Sequence, residues 1–283
     1  MAEKSVAGQQ SIGGAFRTAI LYLLSSNLLL LNPLLLIQDL FQMAGSVAAL
    51  LRLRRQPPMP QTSALTVEYR LPFQGRWVIG RGGTTPAHSH SWFLVNQRFA
   101  YDFVKVDCHG TLQRERPQRL TDYFAYGEDI LAPAHGVVLQ VRDGIRDAPW
   151  PGSGWLDIFT RDIRGNFVLI QHAKSEYSLL AHLAPKSVVV RPGERVRQGQ
   201  RVASCGNSGL STQPHLHFQL QDRPSFAFCL SLPIAFRHYM TNRHGDTSRF
   251  LERGIEVEPV EAPAHQVPNL ALQPTAGRNE TVV

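Results

Sequence analysis

Beyond about Leu65, apolar residues come only in short runs, and Gly, Pro or Asp closes each one, as in "HGVVLQVRDG", "GNFVLIQHA", "EYSLLAHLAP" and "PHLHFQLQD". Nothing longer with a 3.6-residue period interrupts them. Strand-length runs rich in β-branched residues bury one face against neighbours and turn back at the Gly and Pro positions. This pattern predicts a mainly β fold, a compact antiparallel β-sheet domain over residues 65–245.

The N-terminal part obeys a different rule. Residues 15–51 are overwhelmingly apolar, and Ala19–Ile37 carries no charge, long enough to span a hydrocarbon layer. Asn27, Asn32 and Pro33 interrupt it with polar groups and a kink. A single span, a hairpin broken at Asn32-Pro33, and a buried or interfacial helical hairpin all fit. The run is too long for a signal peptide and lacks a clean cleavage site. Residues 1–55 are therefore expected to be a hydrophobic helical segment that associates with a membrane through residues 15–51. Lys4 and Arg17 precede it and Arg52, Arg54 and Arg55 follow; for a single span the positive-inside rule favours the second cluster as cytoplasmic, whereas a hairpin keeps both ends on one side. A Pro-rich linker at 56–64 follows, and the Pro/Ala-rich stretch 256–283 reads as a disordered tail.

The net charge of +7 suits an anionic partner, but the arginines are scattered, which argues against nucleic acid. The three cysteines, Cys108, Cys205 and Cys229, show no CxxC spacing and leave an odd count. Neither a cysteine zinc site nor a disulfide framework is expected. Cys205 reads as a small buried hydrophobe, and the Cys108–His109 pair lacks a third group.

Chemistry concentrates in "GNSGLSTQPHLHF". On a strand His215 and His217 leave the same face, and the small-residue loop before them lets an extended substrate come close. One imidazole can hold a metal while the other meets the reacting water.

Residues 95–222, with "LAPAHGVVLQV", "YSLLAHL" and "V..G..V..GQ.V...G.SG.S...PHLHF", resemble the lysostaphin-type (LytM-type) zinc endopeptidases, which cut peptide cross-links in bacterial peptidoglycan. The resemblance implies that fold, a Zn2+ cofactor, peptidoglycan peptides as substrate, and a membrane-anchored domain outside the cytoplasm in the bacterial cell envelope. It makes His217 and Asp102 zinc ligands, His215 and His182 catalytic histidines, and His172 structural. The family's H-x-x-x-D motif departs here: Arg98 stands four residues before Asp102, and a guanidinium has no lone pair for a metal. His90 is the preferred replacement ligand and His88 the second. The alternative is a degenerate member in which Arg98 pairs with Asp102 and the domain only binds or regulates the wall. The 143–165 connection, with Trp150 and Trp155, is expected to wall the substrate groove.

Overall fold

The structure, a computed structural model, describes residues 23–24, 27–53, 65–115, 117–242 and 250–261. The first 22 residues, the 56–64 linker and the tail from 262 onward lie outside the described residues.

A helix, α1 (Pro33–Arg52), precedes fourteen short strands. These are β1 (Tyr69–Arg70), β2 (Trp77–Arg81), β3 (Tyr101–Lys105), β4 (Asp129–Leu131), β5 (Gly136–Arg142), β6 (Asn166–Ala173) and β7 (Glu176–Leu183). They continue with β8 (Arg195–Val196), β9 (Arg201–Ser204), β10 (Leu216–Gln221), β11 (Ser231–Leu232), β12 (Phe236–Arg237), β13 (Tyr239–Thr241) and β14 (Glu256–Pro259). Ten of them form one sheet in the order β13-β14-β2-β3-β10-β7-β6-β5-β8, with β11 added beside β10. The pairings within that sheet are antiparallel, as the closely spaced turns require. The mainly β, antiparallel expectation holds.

Alternation places Trp77, Ile79, Tyr101, Phe103, Leu180, Leu216, Phe218 and Leu220 in one apolar core with β4 and β9 packed over it. The opposite face of the central strands carries Asp102, Ala181, His217 and Gln219, and there the site is built. The stretch expected to begin the tail contributes instead to the sheet. In "EVEP" Val257 is buried, pairs with Trp77, and completes the edge of β2.

At the N-terminus, Asn32-Pro33 is a helix start. The Asn32 side chain accepts hydrogen bonds from the Leu34 and Leu35 amides, and Pro33 occupies the first turn, where its missing N–H costs nothing. The charge-free run therefore divides there, with a 3-10 turn at Leu29–Leu31 before it.

Candidate functional site

β3 and β10 lie side by side with His217 directly opposite Asp102, and Ala181 of β7 flanks His217 on its other side. Register alone brings the carboxylate and this imidazole together: His217 Nδ1 is 2.9 Å from Asp102 Oδ1. His90 comes from the turn-rich segment before β3, and its Nε2 lies 3.3 Å from Asp102 Oδ2. His90, Asp102 and His217 each offer one ligand atom, and these atoms all lie within 4.8 Å of one another. A tetrahedral zinc site with bonds near 2.0–2.1 Å has ligand-to-ligand edges of roughly 3.3 Å. The donor set and its spacing fit that ion.

The surrounding bonds favour the same state. His217 Nε2 lies 3.3 Å from Gln219 Oε1, while Gln219 Nε2 donates to Asn96 O and Gln221 Oε1. With its amide hydrogens so engaged, Gln219 presents its oxygen to His217 and takes the Nε2–H. The Nδ1 lone pair then faces the Asp102 side, where a metal would sit. Burial opposes ionisation of Asp102, yet His90 and His215 when charged, and hydrogen bonds from His217 and His90 when their facing nitrogens carry a proton, hold its carboxyl well below the usual range.

The other two histidines share one logic. His215 lies just before β10, and its Nδ1–H donates to Gln213 O at 2.8 Å, so Nε2 turns inward to 3.7 Å from Asp102 Oδ1. His182 Nδ1–H donates to Ser208 O at 2.7 Å. The rings of His182 and His215 are 4.7 Å apart. Each tautomer, assigned from these partners, leaves Nε2 unprotonated in the neutral ring. Burial, reinforced by the nearby His215 and His217, pushes His182 well below the usual imidazole range.

A local irregularity aims His182. The β6–β7 register places Asn166 opposite Leu183 and Phe167 opposite Ala181, so His182 is an extra residue with φ of 61°. A bulge in the left-handed region is costly for a residue with a Cβ, and it swings the side chain out of the ladder. Asn166, 0% exposed, secures it: its side chain donates to Ile145 O and Leu183 O and accepts from the Gly144 and Ile145 amides. Ser208 Oγ adds a bond to Leu183 O and accepts from the Asn166 amide. This close stacking requires Gly209, at φ of 82°, whose Cβ would sit 2.3 Å from Gly165 N.

Arg98 and His88 fall away from the centre. β3 begins only at Tyr101, so Arg98 lies in a turn, outside the strand that carries Asp102. Its guanidinium donates to Trp92 O at 2.9 Å and stacks over the Trp92 ring, which corrects the expectation that it can pair with Asp102. His88 Nδ1 lies 3.1 Å from Glu252, away from the cluster. His172 bonds His135 O and Ser178 Oγ. Cys205 is fully buried in the core cluster. The 143–165 connection packs against the loop before β10 through the Asp147–Ser208 bridge and a Gly152 amide bond to Thr212 O. Trp150 and Trp155 meet edge-to-face on it, with Trp150 63% exposed. Gln219 and Asn96 went unnoticed in the sequence, although Gln219, two residues beyond His217 on one strand, is on the same face by period alone.

The family model for Peptidase family M23 matches residues 116–226. This stretch of the chain is an M23 peptidase domain. The match spans His182, His215 and His217; His90 and Asp102 precede it, so their membership of the cluster rests on the fold. Peptidoglycan DD-endopeptidase ShyA of Vibrio cholerae is 28% identical over 49% of this chain and 28% of its own length. ShyB of the same organism, also a peptidoglycan DD-endopeptidase, is 37% identical over 38% of this chain and 24% of its own. An uncharacterized metalloprotease of Haemophilus influenzae is 30% identical over 51% and 27%. The chain spans about a quarter of the length of these relatives.

Proposed function

We propose that this chain is a zinc metalloendopeptidase that hydrolyses peptide bonds in peptidoglycan. The observation that carries the reading is the convergence of three metal-donor atoms from His90, Asp102 and His217 with two inward-facing imidazoles. Two histidines and a carboxylate make three protein ligands and leave a fourth position open, the pattern of a catalytic site. When bound, zinc lowers the pKa of water and polarises a carbonyl.

The protein's own groups do the rest. His215 and His182 each offer an Nε2 lone pair, because Nδ1–H is committed to a backbone carbonyl. Each accepts a proton there first and only then can donate one to a developing oxyanion or leaving amine. Ser208 O, by accepting from His182 Nδ1, favours the imidazolium that results, as it does in the ground state against burial. The names of ShyA and ShyB suggest D,D cross-links as the bonds attacked and the cell envelope as the place of action.

The test uses the purified full chain. Near-stoichiometric zinc and release of soluble fragments from purified peptidoglycan are expected. His217→Ala and His90→Ala should lose both, whereas His215→Ala should keep the metal and lose hydrolysis. A folded protein that takes up no zinc, or a His215→Ala variant of full activity, would overturn the proposal.

A further inference from the structure

Helix α1 is built inside out. Its stripe toward the domain carries Leu35, Gln42, Gly45, Ser46 and Ala49, all buried. Its opposite side presents Leu36, Ile37, Leu40, Phe41, Met43 and Val47, with Leu40, Met43 and Val47 57–61% exposed. A water-facing helix places its polar residues outward, the reverse of this arrangement. The helix is long and apolar enough to cross a bilayer by composition. Its contacts describe something else.

Polar bonds hold it to the domain along its whole length, about 30 Å for twenty residues. At the N-terminal end Asn32 Nδ2 donates to Ile158 O and Thr160 O, and Gln38 bonds Arg161 O and the Ile163 amide. In the middle, buried Asn96 donates to Gln42 Oε1 and Ala227 O and accepts from Ser46 Oγ. Gly45 lies so close to Ala227 O that no Cβ fits between them. At the C-terminal end Arg52 pairs with Asp222 at 2.6 Å. A helix crossing a bilayer would have to leave these partners and carry Gln42 and Ser46 into lipid, at a cost for each unpaired group.

We propose that α1 lies in the plane of a bilayer surface, its domain-facing stripe bonded to the peptidase body and its outer face seated in lipid. The apolar surface continues beyond the helix. Phe228, 40% exposed, meets the Phe41 ring at 6.2 Å, and Phe159, 76% exposed, neighbours the Asn32 anchor. Leu30 and Leu31 extend the same exposed character N-terminally. The rim carries exposed cations: Arg161 at one end, and Arg223 beside the Arg52–Asp222 pair at the other, while Asp39 is an exposed acid on the helix itself. Arg54 and Arg55 follow in sequence on a chain of net charge +7. Such a rim matches anionic headgroups and repels the same rim on a second copy.

The seat also lies next to the chemistry. Ile163 precedes Arg164, whose carbonyl accepts the His182 amide, and Asn96 O accepts from Gln219, which holds His217. The domain would therefore work with the walls of its site beside the membrane surface.

The full chain should sediment with phosphatidylcholine vesicles, and more strongly when phosphatidylglycerol is included. The triple variant Leu36→Gln, Leu40→Gln, Val47→Gln should lose vesicle partitioning by about 100-fold, three partly inserted side chains' worth, with zinc content and circular dichroism unchanged. Leu36→Trp, Leu40→Trp and Val47→Trp, each made alone and compared with the wild-type chain and its four native tryptophans, should each add emission that shallow brominated lipids quench equally. A quenching depth that deepens or reverses steadily along the helix means a span and overturns the proposal. So does a wild-type chain that ignores vesicles, or a dimer in light scattering that the triple variant makes monomeric. None of these readouts depends on hydrolysis, so they stand apart from failure of the peptidase reading.

Discussion

Asn166→Asp changes one atom in the support of the His182 bulge, and its consequences can be worked bond by bond. The two amides of Gly144 and Ile145 still find an acceptor at 2.9 and 2.8 Å. The two donated bonds, 2.7 Å to Ile145 O and 3.1 Å to Leu183 O, become oxygen facing oxygen. Leu183 O keeps its bond from Ser208 Oγ, so Ile145 O is the group left bare. Two lost bonds at about 1 kcal/mol each, plus about 1–3 kcal/mol for an unsatisfied buried group, put the ionised variant about 3–5 kcal/mol below wild type. Burial raises the new carboxyl's folded pKa above its unfolded value near 3.9. The folded state then binds more protons than the unfolded one above that value, so stability falls as pH rises through the folded pKa. The protonated acid recovers one donor, and the cost at low pH shrinks to about 1–2 kcal/mol. Urea unfolding followed by circular dichroism, wild type against variant at about pH 3.5 and pH 8, measures both. Asn166→Ala removes all four side-chain bonds and should lose at least as much, with no dependence on pH. A cost under about 1 kcal/mol at pH 8, or equal costs at both pH values, would refute the assigned role of Asn166.

Other expectations follow from the same contacts. Gln219→Ala removes the acceptor that holds His217 Nε2–H and should weaken zinc by about 10–100-fold in a competitive chelator titration, with the fold intact. Arg98→Ala should leave zinc content unchanged, because its guanidinium is spent on Trp92; metal loss would mean that Arg98 shapes the site after all. Burial pushes His172 down to about 4, so the unfolded state binds the extra proton between about pH 6.5 and 4. Stability should therefore decline as pH falls through that window, by at most about 3 kcal/mol from this residue, and His172→Gln should flatten that part of the urea-midpoint profile.

How far the sequence reaches differs from residue to residue. His217 was legible with His215 because a period of two puts both on one face of a strand, whereas Asp102 was legible only through family likeness, and antiparallel pairing is what sets it opposite His217. His182 was legible only through family likeness, since an extra residue in a bulge breaks the period that would have placed it. The choice of His90 over His88 was not decided by spacing. Both lie in the turn-rich segment before β3, where the chain path follows from distant bonds, such as Asn96 to the 226–227 backbone. Arg98 misled for the same reason: an offset of four has a meaning inside a strand and none in a turn.

The sequence by itself determined the sheet, its apolar core and the histidines of "PHLHF", because alternation and turn residues act over a few neighbours. It also determined that the N-terminal segment is apolar and helical. Which side of that helix is bonded to protein, which histidine completes the donor set, and that Val257 closes the sheet edge were decided only by tertiary structure. Each depends on hydrogen bonds or packing between residues far apart in the chain, and local periodicity carries no record of such partners.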